Sequence, residues 1–282
     1  MNKKGDVSSF DNNWNKRPES YYNHWIKSEP ENQIQLAFRM HWLLFKEIID
    51  KEINSNEKLK VLEVGCGRGS LSSYFYENGF DCSLLDISEK AIKIAKDIFK
   101  RNQHKGEFYV GDAENLEFKD SSFDVIFSIG LLEHFTNPEK TINEQFRLLK
   151  KGGIWFGYIV PEFKDNVQKD FDWINNILKG YKKNEIAFQK KEDIFRSDNL
   201  SDYYFKIIDK LNISKTESFG TYPLPMISHS IEFPFSLMPK ASEKSLVNHF
   251  IKLLDERKEQ TGNNPWICKE GEGNAFLIWG RK

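Results

Sequence analysis

Apolar residues recur at helical spacing between positions 34 and 49, with Ile34, Leu36, Phe38, Leu43, Leu44, Phe45 and Ile48 in the series. The spacing predicts a helix that runs out into a loop over 54–60. Ahead of it, residues 1–30 are polar with aromatic insertions and are divided by Pro18 and Pro30. Beyond the loop the period changes. Lys60–Val64 reads as a strand that feeds directly into Gly65, Cys66, Gly67, Arg68 and Gly69, and 70–78 reads as a helix stopped by Gly79. A second strand over 82–85 ends in Asp86. Ser88 then caps a helix over 89–102, which carries Ala91, Ile92, Ile94, Ala95, Ile98 and Phe99 on one side. Glu107–Val110 and 123–128 read as the third and fourth strands. Asn137 and Pro138 open a helix to Leu149, and Gly152 and Gly153 lead into a fifth strand over 154–160. Strands alternating with helices in this way imply right-handed crossovers and a parallel sheet covered on both faces.

Past Pro161 the rhythm slackens. Residues 163–212 read as largely helical and charged, 215–222 as a strand, and 222–240 as a loop holding Pro223, Pro225, Pro234 and Pro239 among apolar side chains. A helix over 243–259 and a strand over Ala275–Arg281 close the pattern, with no internal repeat.

Composition narrows the function classes. Of 282 residues, 41 are Lys or Arg and 42 Asp or Glu, a formal net charge of −1. That balance disfavours a protein whose task is to coat a phosphate backbone. Aromatic residues at 14% argue against disorder. No stretch approaches the ~20 apolar residues that span a bilayer, and the lysines of the first ten residues have no apolar core behind them. The expectation is a soluble, cytoplasmic protein with no membrane partner. Cys66, Cys82 and Cys268 lack CxxC spacing and read as reduced thiols, while the six histidines lack metal-site spacing, so no metal is expected.

The richest local signal is the strand–glycine turn–helix unit at 61–69. Glycines permit left-handed backbone and close approach of a ligand, and this geometry binds nucleotides in doubly wound sheets. The third glycine comes one residue earlier than in the GxGxxG dinucleotide fingerprint. Glu63, on the strand just before, would repel a pyrophosphate but suits a cationic amino-acid ligand. Both features speak against a nicotinamide-dependent dehydrogenase.

The ExGxGxG pattern of Glu63, Gly65, Gly67 and Gly69 resembles the glycine motif of class I S-adenosylmethionine-dependent methyltransferases of the small-molecule type. Four further motifs follow in the family's order: Asp86 ending strand two, Gly111-Asp112-Ala113 ending strand three, Phe123-Asp124-Val125-Ile126 in strand four, and Arg147–Gly153 similar to the "LKPGG" before strand five, with Lys151 in place of the proline. The resemblance covers residues 60–160. It implies an α/β fold: a Rossmann-like, doubly wound, mostly parallel seven-stranded sheet with an N-terminal helical cap and an insert after strand five. Within it, 1–55 would be the cap or lid, 56–162 the cofactor-binding core, 163–240 an acceptor-covering insert containing strand six, and 241–282 the last helix and strand. The implied cofactor is S-adenosyl-L-methionine, held by Glu63, Gly65, Cys66, Gly67, Gly69, Asp86, Ile87, Asp112, Ala113, Ser128 and Ile129. Asp86 would take both ribose hydroxyls and Asp112 the adenine side; a carboxylate is a bidentate acceptor for vicinal hydroxyls.

The acceptor belongs in the crevice beyond the strand ends. Strand four runs into Leu132, Glu133 and His134, similar to an "LEH" seen in small-molecule members of the family. His134, with an ordinary pKa near ~6.5, is the candidate catalytic base; the alternative is a polar residue that pins its loop. Glu133 reads as orienting a substrate amine or as a helix-start carboxylate. Tyr21, Tyr22, His24 and Trp25 are candidates to close over the sulfonium, whose charge suits aromatic faces, or to pack on the sheet. Tyr222 and His229 belong to the candidate acceptor cover, and Lys179, Lys182, Lys183, Lys190 and Lys191 form a basic stretch that suits a phosphate-bearing acceptor. The expected activity is methyl transfer to a hydroxyl of a small molecule, such as a sugar- or nucleotide-linked biosynthetic intermediate. The alternatives are N-methylation of a small amine and a non-catalytic cofactor-binding subunit. A nucleic-acid partner is not expected, since no Asn/Asp-Pro-Pro-Tyr follows strand four; a homodimer is left open.

Overall fold

The computed structural model of the chain describes residues 14, 24–162, 165–182, 195–227 and 238–282. The expected rhythm is present. Helix α1, Gln33–Glu52, is capped by Asn32, whose side chain accepts from the Gln35 N–H at 3.0 Å. Then follow β1 (Lys60–Val64), α2 (Ser70–Glu77), β2 (Asp81–Asp86), α3 (Glu89–Arg101), β3 (Glu107–Val110), β4 (Phe123–Ile129), α4 (Glu139–Leu148) and β5 (Leu149–Ile159). Ser88 caps α3 by accepting from the Ala91 N–H at 3.2 Å. After β5 come α5 (Asp172–Lys182), α6 (Ser201–Ile208), β6 (Lys215–Thr221), α7 (Lys240–Thr261), β7 (Ile267–Cys268) and β8 (Ala275–Arg281).

The strands form one sheet in the order β3-β2-β1-β4-β5-β8-β6-β7. From β3 to β5 all neighbours are parallel; β8 then pairs antiparallel with both β5 and β6. The fold is therefore α/β, Rossmann-like and doubly wound. Strand order reverses between β1 and β4, and in such sheets a crevice opens there beyond the carboxyl ends.

Strand side chains alternate between two cores. Val61, Ile154, Phe156, Leu277 and Trp279 face α1, α2, α3 and α7, while Leu62, Val64, Trp155, Phe276 and Ile278 face α4 and α6. On the first side Phe45 stacks on Phe156 with ring centroids 4.3 Å apart, and Phe75 on Phe127 at 4.9 Å. This aromatic packing fixes α1 across the sheet.

Three details differ from the sequence reading. Strand β5 begins at Leu149, because the Lys150–Gly153 stretch pairs with the end of the chain: the Gly152 N–H donates to the Lys282 carbonyl at 2.7 Å, and the Lys282 N–H to that of Gly153 at 3.1 Å. The sheet has an eighth strand, β7, whose two residues are too short to leave a pattern. Of the stretch 163–212, the described helices are α5, α6 and a 3₁₀ turn at Lys169–Phe171, while 195–200 is not helical.

Candidate active site

The loop after β1 makes three left-handed turns, at Gly65 (φ 73°), Gly67 (φ 51°) and Gly69 (φ 67°). Side chains avoid that region, which is why glycine stands at all three. The loop is tied to β2. The Leu85 carbonyl accepts from the N–H groups of Gly65 and Cys66 at 2.8 and 2.9 Å. Asp86 Oδ2 accepts from the Gly67 N–H at 2.8 Å, and its Oδ1 from the Ser88 N–H at 2.9 Å. One carboxylate thus sets the glycine loop against the start of α3.

A cavity of about 270 Å³ opens at this point. Glu63, Gly65, Cys66 and Gly67 line it from the first strand and loop, Asp86 and Ile87 from the second, Asp112 and Ala113 from the third, and Ile129 from the fourth. Gly69 and Ser128 are not lining residues. Gly69 turns the chain into α2, and Ser128 is wholly buried in β4. Asp112 Oδ1 also accepts from the Glu114 N–H at 3.0 Å, which fixes the carboxylate at its turn.

Glu63 is buried and accepts from both the N–H and the hydroxyl of Ser72. Burial pushes its carboxyl up to about 8; the Ser72 donors oppose the shift and the Asp86 charge adds to it.

His134 closes a 3₁₀ turn, Leu132–His134, and lines the cavity. Its Nδ1 lies 2.7 Å from the Phe195 carbonyl. A carbonyl only accepts, so Nδ1 carries a hydrogen, which in the neutral ring makes Nε2 the accepting nitrogen. The pinning contact and a basic nitrogen coexist in one imidazole. Glu133, its neighbour, is fully buried and is not a lining residue; its Oε1 accepts from the Val160 N–H at 3.3 Å. Burial raises its carboxyl to about 7 against the lowering charge of Arg196.

The N-terminal and insert candidates separate. His24 lines the cavity, its ring 4.7 Å from Phe38. Trp25 does not; it packs edge-on against His104 at 4.6 Å and Tyr74 at 6.5 Å. Tyr222 also lies away from the cavity, stacked on Trp266 at 4.7 Å with φ at 62°. Tyr21, Tyr22 and His229 fall outside the described residues, as do Lys183, Lys190, Lys191 and the side chains of Lys179 and Lys182.

Nine lining residues were not among the sequence candidates: Trp14, Phe38, Arg68, Ser70, Leu85, Gly111, Gly130, Leu131 and Phe135. The Trp14 ring comes so near the loop that a Cβ on Gly67 would lie 3.0 Å from it, and the Arg68 guanidinium sits 5.7 Å from the ring centroid. Of these, Arg68 and Gly111 sit inside the quoted motifs and so carried a local signal. Among the described residues no cluster of His, Cys, Asp or Glu is arranged to hold a metal ion, and no helix is long and apolar enough to cross a membrane.

Residues 62–156, about a third of the chain, match a family model described as a methyltransferase domain. A ubiquinone biosynthesis O-methyltransferase from Pelagibacter ubique is 35% identical over 122 residues, 42% of this chain and 50% of that protein. A norajmaline N-methyltransferase from Rauvolfia serpentina is 34% identical over 113 residues, 39% of this chain and 38% of that one. The matches span half or less of these relatives' lengths. The crystal structure of YcgJ from Bacillus subtilis, 21% identical, superposes with a TM-score of 0.52 over 86% of this chain and 99% of its own, which shows a shared fold. The resemblance to class I methyltransferases therefore rests on both sequence and fold, and S-adenosyl-L-methionine is that family's methyl donor.

Proposed function

We propose, from the methyltransferase domain at residues 62–156, that this protein transfers the methyl group of S-adenosyl-L-methionine to a hydroxyl of a small-molecule acceptor. One observation carries the reading: a single cavity at the strand-order reversal gathers Glu63, the glycine loop, Asp86 and Asp112, with His134 on its wall. These residues fit the cofactor's parts. Asp86, which lines the cavity beside the glycine loop, would accept from the vicinal ribose hydroxyls; Asp112 would offer an acceptor to the adenine side; Glu63 would offer a carboxyl to the ammonium. When bound, the cofactor supplies an activated sulfonium methyl, so positioning of the nucleophile provides much of the rate. His134 would take the acceptor's hydroxyl proton at Nε2 while the Phe195 carbonyl holds Nδ1–H. His24 and Phe38 would form the aromatic wall of the site. The acceptor class proposed is a hydroxylated biosynthetic intermediate, sugar- or nucleotide-linked, met by a cap over 1–55 and an insert over 163–240.

An amine acceptor is the alternative, since one matched relative is by name an N-methyltransferase. Assaying demethylated cofactor formation across hydroxyl and amine metabolites decides between them. Product with amines alone would remove the hydroxyl reading; tight cofactor binding with no product from any acceptor would remove the enzyme reading.

His134→Ala is expected to lower turnover by about 10²–10⁴-fold, with cofactor affinity changed by less than about threefold on titration. Unaltered turnover at saturating acceptor would return His134 to a pinning role.

Glu63 yields a pH prediction. Its carboxyl, ordinarily at 4.5, holds its proton to about 8 in the folded protein. Between those values the fold binds a proton that the unfolded chain does not, so this group's contribution to stability is full below 4.5 and fades as pH rises through about 8. A cofactor ammonium beside Glu63 favours the ionised form, so binding near pH 7 is expected to release up to about one proton. Calorimetric enthalpy should then vary with the buffer's own ionisation enthalpy, and Glu63→Gln should abolish that variation. Buffer-independent enthalpy in the unmutated protein would sink the Glu63 assignment.

A further inference from the structure

The turn that carries His134 is held from behind by the chain returning from the insert. Besides the Phe195 carbonyl on His134 Nδ1, the Ser197 N–H donates to the Glu133 carbonyl at 2.8 Å, and the Ser197 carbonyl accepts from the Glu162 N–H at 3.0 Å. Residues 195–197 are thereby strapped across the turn and onto the chain leaving β5. Downstream, Ser201 is fixed by its N–H and its hydroxyl to the Glu270 carboxylate, each at 2.6 Å.

Beneath this strap lies a buried polar node. Glu133 is 0% exposed, Tyr204 0% and Ser197 6%. Glu133 Oε1 takes the Val160 N–H, but its Oε2 has no hydrogen-bond partner among the described residues. The Ser197 and Tyr204 hydroxyls are neighbours, yet neither completes a well-directed bond there. Buried polar atoms left in this state are destabilising. An apolar trio would fill the space at no such cost, so stability does not account for these residues.

We propose that Glu133 is a positioning residue: its Oε1 ties the turn to the Val160 N–H and its backbone carbonyl holds the Ser197 N–H, so that it fixes the 195–197 strap, whose Phe195 carbonyl sets the tautomer and direction of the His134 imidazole. Glu133 does not touch the cavity, so it acts through His134 alone. The role assigned rests on the proposed part of His134 in methyl transfer, but the geometry is testable without an acceptor.

The test uses the full chain labelled with ¹⁵N in the histidine rings, with the His134 signals identified by their loss in His134→Ala. Glu133→Gln keeps an acceptor for Val160 and adds a donor to the node, so His134 should keep its Nδ1–H tautomer. Glu133→Leu keeps bulk without polarity, and His134 should drift toward the tautomer mixture of an unconstrained imidazole. Cofactor affinity should stay within about threefold in both variants. Unchanged His134 signals in Glu133→Leu, or equal disturbance in both variants, would overturn the proposal. If Glu133→Leu does not fold, Glu133→Asp decides: one methylene shorter, it withdraws the acceptor from the Val160 N–H, so a shift of the same sign supports the tie and unchanged signals overturn it. Failure to find methyl transfer would sink the functional reading but leave this ring signature where it stands.

Discussion

Replacing Asp86 by alanine is expected to weaken S-adenosylmethionine binding by about 10- to 150-fold, the equivalent of ~1.5–3 kcal/mol for hydrogen bonds to a charged group. Two losses combine. The ribose would lose its acceptor, and the Gly67 and Ser88 N–H groups would lose theirs, so the glycine loop would no longer be drawn against α3. Asp86→Asn keeps one carbonyl oxygen in the same place and should fall between the two. Isothermal titration reads both variants. An alanine variant that binds within about threefold of the parent would show that this carboxylate does not hold the ribose.

Gly69→Ala is expected to damage the fold itself. Its φ of 67° disfavours any side chain, and an added Cβ would lie 2.5 Å from Leu84 Cδ2 and 3.2 Å from Phe99 Cε2. Left-handed strain costs roughly 1–2 kcal/mol and overpacking about 1–3 more. At about 2–4 °C per kcal/mol for a chain of this size, melting should fall by roughly 5–15 °C. Gly79→Ala offers a contrast: it also has positive φ, 89°, but nothing lies within 4 Å, so only the strain remains. Equal melting shifts in the two variants would show that Leu84 and Phe99 yield freely.

The parallel half of the sheet was legible because its signals are local. Each strand is a short apolar run, and each crossover helix shows its apolar stripe between a capping residue and a stop, as around Ser88. The acidic strand ends were legible because position after a strand determines which end of the sheet a side chain reaches. What escaped depends on contacts distant in sequence. Lys150–Gly153 reads as a turn until Lys282 arrives to pair with it. Phe38 reaches the cavity only because α1 crosses the sheet where it does. His24 and Trp25 are adjacent yet face different surroundings, and so are His134 and Glu133; no composition argument separates such neighbours. The 195–197 strap carries no pattern of its own, since its hydrogen bonds run from backbone to a turn some sixty residues away.

Strand β8, late in the chain, lies between β5 and β6 rather than at a border of the sheet. On the ribosome, the nascent parallel half can assemble as soon as β5 emerges, but one flank of β5 then keeps a row of unsatisfied amides and carbonyls until α7 and β8 have been translated. Synthesis that stalls in that interval would release a polypeptide with a sticky border, which makes the stretch of translation between β5 and β8 the time when this protein most needs chaperone cover.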